Sequence, residues 1–374
     1  MSKAKVFSFS LPLLFVLASM AIAGAGTIYV PDDYSSIQEA VDAASSGDTV
    51  VIRDGIYTEN VNIKKDHLTL RSEHGAERTV VEAANTADET FQVTADYVTV
   101  QGFTVRLGSA GIFLNGADYC NIFGNIIFSN SRRGIHLFRS SHNNLTENNA
   151  SSNSRDGIYL EYSSNNNTLE GNTVSGNSET GIYLLESSNN TLTENTTPNN
   201  DYGIYLRCSP HNNLTENTAS NNSRDGIHLF RSSHNNLTEN TASNNSRDGI
   251  YLEYSSNENT LKRNTVSGNS QYGIYLKYSS NNRIYFNSFT GNSESVSSID
   301  STNTWTSSIK VTYAYHGSTY ANYLGNYWAD YTGEDADDDG IGDGPYTINS
   351  DQDDYPLMEA LENYILFISI SELK

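Results

Sequence analysis

The clearest metal-ligating spacing in the chain lies near its C-terminus. Asp335, Asp337, Asp339, Gly340, Ile341 and Asp343 follow a D-x-D-x-D-G-x-x-D pattern. Alternate acids in such a loop can surround one calcium ion, the glycine makes the sharp turn, and Ile341 offers its carbonyl. Tyr346 stands where the usual twelfth-position Glu would be. Asp351, Asp353 or Asp354 would then have to complete the shell. The expected role of calcium here is structural, stiffening the end of the molecule.

Three further sets of residues could do chemistry. Phe113, His136, Tyr159, Tyr183, Tyr205, His228, Tyr251 and Tyr275 recur at one position of a repeat. If they share one strand position they form a stripe about 34 Å long, at roughly 4.8 Å per step. Flat rings beside Asn, Ser and Asp could stack on sugars, and Phe138 and Phe230 would widen the stripe. Strand pairing alone also produces such columns. Asp225 and Asp248 sit one repeat apart, a spacing of about 5 Å that a retaining glycosidase could use. An acid before Gly is otherwise an ordinary solvated turn residue. His211 and His234 are also one repeat apart, with His142 earlier in the same column. Stacked imidazoles could share a borderline metal, although no Met cluster supports copper.

The elements that must position these residues follow from the repeat. Gly-Ile-aromatic-Leu begins at Gly111, Gly134, Gly157, Gly181, Gly203, Gly226, Gly249 and Gly273, in steps of 22 to 24 residues. Asn125, Asn148, Asn172, Asn195, Asn217, Asn240, Asn264 and Asn287 run in phase with it. A period of about 23 is too short for strand–helix–strand units, and three short strands with three turns fit it. The chain is therefore expected to be all-β, a right-handed parallel β-helix of eleven to thirteen coils. Leu145, Ala150, Ile158 and Leu160 should point inward, and His136 and Tyr159 outward. The recurring Asn is expected to bond its copies in neighbouring coils, and the Gly to adopt a backbone conformation other residues resist. Residues 131–184 and 223–276 align at an offset of 92 with 46 of 54 positions identical. Duplicated coils suit repeated binding better than one unique active centre.

Four segments are expected. Residues 1–23 read as a signal peptide, with Lys3 and Lys5, an apolar run from Val6 to Val16, and Ala21-Ile22-Ala23 for cleavage. Residues 24–110 form an N-terminal cap with a helix over 35–44 and the first coils. The regular coils occupy 111–293, and 294–374 form a C-terminal cap with the acidic loop. No segment of the mature chain is long enough to span a bilayer. Lys+Arg is 22 against Asp+Glu 44, a formal charge of −22 that argues against nucleic acid or an anionic membrane as partner. Cys120 and Cys208 fall about four coils apart, too far for a disulfide. Sequons such as those at Asn144, Asn166, Asn189 and Asn244 offer glycosylation sites.

Two stretches resemble a known family. The opening from Ile37 to Glu59 is similar to the first cap of pectin-lyase-like β-helices. The repeats, with Leu324-Gly325-Asn326-Tyr327-Trp328 and Asp337 to Tyr346, resemble NosD-type β-helix proteins, also called the carbohydrate-binding and sugar-hydrolase repeat group. The resemblance implies a secreted or cell-surface protein of archaeal type. That group holds polysaccharide enzymes, adhesion-type surface proteins and a periplasmic protein tied to copper-site maturation. The leading expectation is non-catalytic binding of an extracellular polysaccharide or surface glycan along the aromatic face. The alternatives are a polysaccharide lyase, hydrolase or epimerase with its site outside the duplicated coils, and a periplasmic copper-binding protein.

Overall fold

The computed structural model describes residues 25–349 and 351–367, so the expected signal peptide lies outside the described residues. The chain winds as a right-handed parallel β-helix. One face is a twelve-stranded sheet running from Thr27–Val30 to Arg283–Tyr285, and a second is an eleven-stranded sheet from Val61–Ile63 to Glu294–Ile299. The third face consists of two five-stranded sheets joined by single bridges through Thr173 and Thr196.

One coil shows why these residues form these strands. Arg133–Phe138 and Asn144–Thr146 pair in parallel with the next coil, and Asn149–Ser151 with the coil before. Ile135, Leu137, Leu145 and Ala150 are fully buried, because alternate side chains of each strand face the axis. The expected inward set, Leu145, Ala150, Ile158 and Leu160, is at 0% exposure.

The corners are polar and more regular than expected. Besides Asn125 to Asn287, two more ladders of buried Asn run up the helix, from Asn143 to Asn282 and from Asn130 to Asn269. A ladder of buried Ser runs from Ser140 to Ser279. Each Asn Oδ1 accepts from the backbone N–H of the Asn one coil before, as Asn217 Oδ1 does from Asn195 N at 3.0 Å. In most rungs it also accepts the preceding side-chain amide, at 2.9 Å for that pair. The corners therefore bury their amides with partners in place.

The glycines before Ile serve a different purpose from the one expected. Gly226 has no positive φ; a Cβ there would lie 2.7 Å from both Asn245 Nδ2 and Gly249 O. Close approach of the coil to the Asn ladder, not backbone conformation, excludes a side chain.

Irregular segments close both ends of the β-helix. Ser36 caps the helix Ile37–Ala43 by accepting from Glu39 N, and Ile37, Ala40 and Val41 are buried over the first coils. At the other end the ladder steps from Asn287 to Asn326, 39 residues instead of 23. This coil therefore contains an insertion, which carries the hairpin Val311–Tyr315 and Ser318–Asn322. The strand Ile365–Phe367 joins that hairpin. A satellite core of Tyr313, Tyr315, Leu324, Ile341, Leu357 and Tyr364 lies beneath them. Cys120 is buried, its thiol pushed up to about 12 by desolvation, and neither it nor Cys208 forms a disulfide. Among the described residues, no helix is long and apolar enough to cross a membrane.

Candidate functional site

The eleven-stranded sheet places Phe113, His136, Tyr159, Tyr183, Tyr205, His228, Tyr251 and Tyr275 as consecutive register partners. Their rings stack with centroids 4.6 to 5.2 Å apart. One physical consequence corrects the expectation that they lie open to solvent. Each ring covers the faces of its neighbours, so Tyr159, Tyr251, His228 and His136 are only 3%, 5%, 5% and 9% exposed. These four rings leave little surface for a ligand, their faces being covered by their neighbours.

Exposed rings instead flank the column. Tyr162, Tyr254 and Tyr278 are 39–45% exposed. Phe138 and Phe230 meet Tyr162 and Tyr254 edge-on at 5.9 and 5.6 Å, and Tyr254 stacks on Tyr278 at 5.5 Å. Arg139 and Arg231 lie over the two phenylalanines. Sequence reasoning did not single out these tyrosines, although the repeated Glu-Tyr-Ser-Ser was a usable signal.

Asp225 and Asp248 are not solvated turn acids; both are fully buried. Tyr202, Tyr205 and Tyr251 pack their rings around the neighbouring His228. Asp225 Oδ1 accepts from Asp248 N at 3.3 Å, and Asp248 Oδ1 from Tyr272 N at 3.0 Å. Burial, and next the charge of Asp225, push the Asp248 carboxyl up to about 6. His228 Nδ1 lies 3.3 Å from Asp225 Oδ2, and its Nε2 lies 3.5 Å from Glu253 Oε2. Burial opposes charge on this imidazole, but Asp225 and Glu253 outweigh it and hold His228 above the ordinary value. Its counterpart in the other duplicated block, His136, is pushed down to about 3 by burial and by Arg133 and Arg132.

His211 and His234 stack face to face, centroids 4.9 Å apart and planes 7° apart. Nitrogen lone pairs lie in the ring plane, so rings stacked this way aim them in parallel, not at one ion between them. His142 stacks on Tyr119 at 4.8 Å, with Asn166 and Asn189 separating it from His211 in the column. These histidines therefore do not fit a shared copper site.

The acidic loop brings Asp335, Asp337 and Asp339 together, with one carboxylate oxygen of each within 4.8 Å of the others. Asp335 also accepts from Asp339 N and Gly340 N, and Asp343 from Ala336 N. Gly340 has φ +86 and carries Tyr315 and Tyr364 so close that a Cβ would meet them within 2.9 Å. Asp351 and Asp353 do not complete this shell. Asp351 accepts from Asn303 N and Trp305 Nε1, and Asp353 is buried against Asn326 and Trp328. Asp354 is held by Gln352 Nε2.

The coils that build this face also carry the family relationship. A family profile described as "Periplasmic copper-binding protein (NosD)" matches residues 41–217 and 193–333, which together span most of the chain. The chain belongs to the NosD family. A "Cell surface glycoprotein" of Methanothermus fervidus is 31% identical over 126 residues, 32% of this chain. The match spans about a fifth (21%) of that relative's length. Among solved structures, XylC with xylose aligns at TM-score 0.60 and 11% identity, over 72% of this chain and 75% of that one. The A-module of an Azotobacter vinelandii mannuronan C-5 epimerase aligns at 0.55 and 16%, over 73% and 93%. Pectate lyase Pel9A aligns at 0.51 and 16%, over 75% and 79%. At such identities these likenesses establish the β-helix fold of this NosD-family chain and nothing further.

Proposed function

We propose that this NosD-family protein acts outside the cytoplasm, at the cell surface or in the periplasm, and binds an extended glycan along the outer face of its eleven-stranded sheet. The observation that carries this reading is the unbroken aromatic column, repeated coil after coil, with exposed Tyr162, Tyr254 and Tyr278 beside it. A polymer with its own repeat gains affinity from such an array, since each further contact becomes intramolecular. The cell-surface relative and the polysaccharide-active proteins that share the fold support the reading. With a formal charge of −22, the surface disfavours a densely anionic chain, so neutral or sparsely charged glycans are the expected ligands. Exposed Asn144, Asn166, Asn189 and Asn244 leave room for glycans carried by the protein itself.

The test is a polysaccharide array probed with the mature protein and scored for retention and for released product. Retention without product is expected. Tyr254→Ala with Tyr278→Ala should weaken retention about tenfold or more while leaving the unfolding midpoint nearly unchanged, because both rings are exposed. Unsaturated or reducing-end product would favour a second reading, a polysaccharide-active enzyme. The buried His228, Asp225 and Asp248 cluster is the feature that speaks for it, and it lies inside the duplicated coils.

Calcium in the Asp335–Asp343 loop belongs to the same proposal, as a brace for the C-terminal cap. Adding millimolar calcium to chelator-treated protein is expected to stabilise the cap by about 1–3 kcal/mol. Asp337→Asn should remove that increment without altering the calcium-free midpoint. Equal calcium responses in both proteins would rule the loop out.

A further inference from the structure

The near-identity of residues 131–184 and 223–276 lets one block be compared with the other. Three of their eight differences lie in or beside the strand Thr260–Lys262 of the twelve-stranded sheet: Glu258 for Asn166, Lys262 for Glu170 and Arg263 for Gly171. Two of the three put a cation where the first block has an acid or no charge. In the same sheet, one outward position holds only Asn or Thr through eleven strands, from Thr27 to Thr260, and then Arg283 in the twelfth. The next outward position holds Thr193, Thr215 and Thr238 before Lys262 and Tyr285. Basic and aromatic side chains therefore take over at the last two strands, where the C-terminal insertion begins.

Those strands and the first limb of the insertion enclose a cleft of about 580 Å³, inside the range of roughly 300–1,000 Å³ usual for small-molecule sites. Lys262, Arg283 and Tyr285 line it from the sheet, and Ser308 and Ile309 from the insertion. Ser307 N donates to Leu324 O at 2.9 Å and closes the neck of the insertion, which fixes that wall. Tyr285 is half-buried and packs against the satellite core of the cap, its ring meeting Phe286 edge-on at 4.8 Å. The charges here do not cancel. Arg263 engages Glu239 at 3.2 Å, and His234 lies 3.5 Å from Glu258. Among the described residues, neither Lys262 nor Arg283 pairs with a carboxylate. Burial pushes the Tyr285 hydroxyl up, and the charges of Arg283 and Arg263 act against it, so the positive field reaches the ring. In a chain of 44 acids against 22 bases, two neighbouring cations without a partner suit an anion from outside.

We propose that this cleft binds one acidic sugar of a glycan, with Lys262 and Arg283 on its anionic group and the Tyr285 ring beside its carbon skeleton. The sugar class rests on the proposed function, but the site belongs to another sheet, apart from the aromatic column. Arg offers a planar fork to a carboxylate or sulfate, and Lys a point charge. An aromatic ring next to them suits the C–H face of a pyranose. The hydroxyls of Thr260 and Ser308, which also line the cleft, can bond those of the sugar. A single such site fits a sparsely charged glycan, which the net charge of the protein still admits.

NMR titration of full-length protein, read on the Tyr285 ring signals, tests this with methyl glucuronide, the 6-sulfate of methyl glucoside, and methyl glucoside itself. At millimolar concentration an anionic sugar is expected to shift those signals, and the neutral glucoside to leave them in place. The tighter of the two anionic ligands identifies the group as carboxylate or sulfate. Lys262→Glu restores the residue of the first block, and Arg283→Thr a residue type of the preceding strands. Both variants should keep the wild-type unfolding midpoint and weaken the anionic sugar about tenfold or more. Tyr254→Ala with Tyr278→Ala should leave this binding unchanged, so failure of the extended aromatic face and failure of the cleft are separate results. Tyr285 signals unmoved by either anionic sugar would overturn the proposal. So would equal binding of the neutral glucoside, or Lys262→Glu binding as tightly as wild type.

Discussion

Asn217→Ala is expected to destabilise the solenoid by about 4 kcal/mol, although the substitution touches no site and lies far from both caps. Asn217 Oδ1 accepts from Asn195 N at 3.0 Å and from Asn195 Nδ2 at 2.9 Å. Its own amide donates to Asn240 Oδ1 and to Leu192 O at 3.0 and 2.8 Å. Alanine leaves the Asn195 backbone N–H and one amide hydrogen buried without acceptors, at about 1–3 kcal/mol each, and opens a small cavity. Solenoid coils couple only to their neighbours, so the loss should be local. Hydrogen exchange should show it first at the Asn195 amide. Asn149→Ala, at an exposed strand position, is the matched control, with an expected change below about 0.5 kcal/mol. A loss no greater than the control's would mean that the ladder carries no stability.

The same ladders show how far the sequence could be read. The tetrad at Gly157 to Leu160 and the Asn series from Asn125 were legible because each recurs at a fixed step along the chain. Two further Asn ladders were not, although Asn143, Asn148 and Asn153 stand five residues apart in every regular coil. That spacing is what a three-residue strand between two corners requires. It was obscured by neighbours of the same type: Asn143 is buried and Asn144 exposed, a choice made by corner geometry, not by residue type. The fate of Asp225 was hidden for another reason. An acid before Gly reads as a turn residue, and only the folded coils bury it beside His228. The aromatic column was placed correctly in register, but stacking along the helix axis, invisible in one coil, closes the ring faces that sugar binding was expected to use. In the C-terminal cap the acidic loop was legible as a motif. The partners of Asp351 were not, because Asn303 and Trp305 lie on the far side of the inserted hairpin.

Asp353→Ala should be as costly as the loss of an interior rung, for a reason set by the direction of the ladder. Every Asn in it both donates and accepts, so the final position must only accept, which a carboxylate does. Asp353 Oδ2 takes Asn326 N, Asn326 Nδ2 and Trp328 Nε1 at 2.8, 3.2 and 3.0 Å, and Oδ1 takes Tyr355 N at 3.1 Å. Alanine would orphan these donors in the interior, with an expected loss of about 4 kcal/mol from the C-terminal cap. Burial pushes the Asp353 carboxyl up to about 6, while its hydrogen bonds hold it down. The folded chain therefore holds this proton more tightly than the unfolded chain, whose Asp titrates near 3.8. The resulting stability is fully present below pH 3.8 and is lost as pH rises through about 6, a change of roughly 3 kcal/mol. Asp353→Asn cannot titrate, so the difference in unfolding free energy between wild type and this variant should change across pH 4 to 7 in that sense. Two parallel pH profiles would mean that Asp353 stays ionised throughout, held by its four donors against the cost of burial.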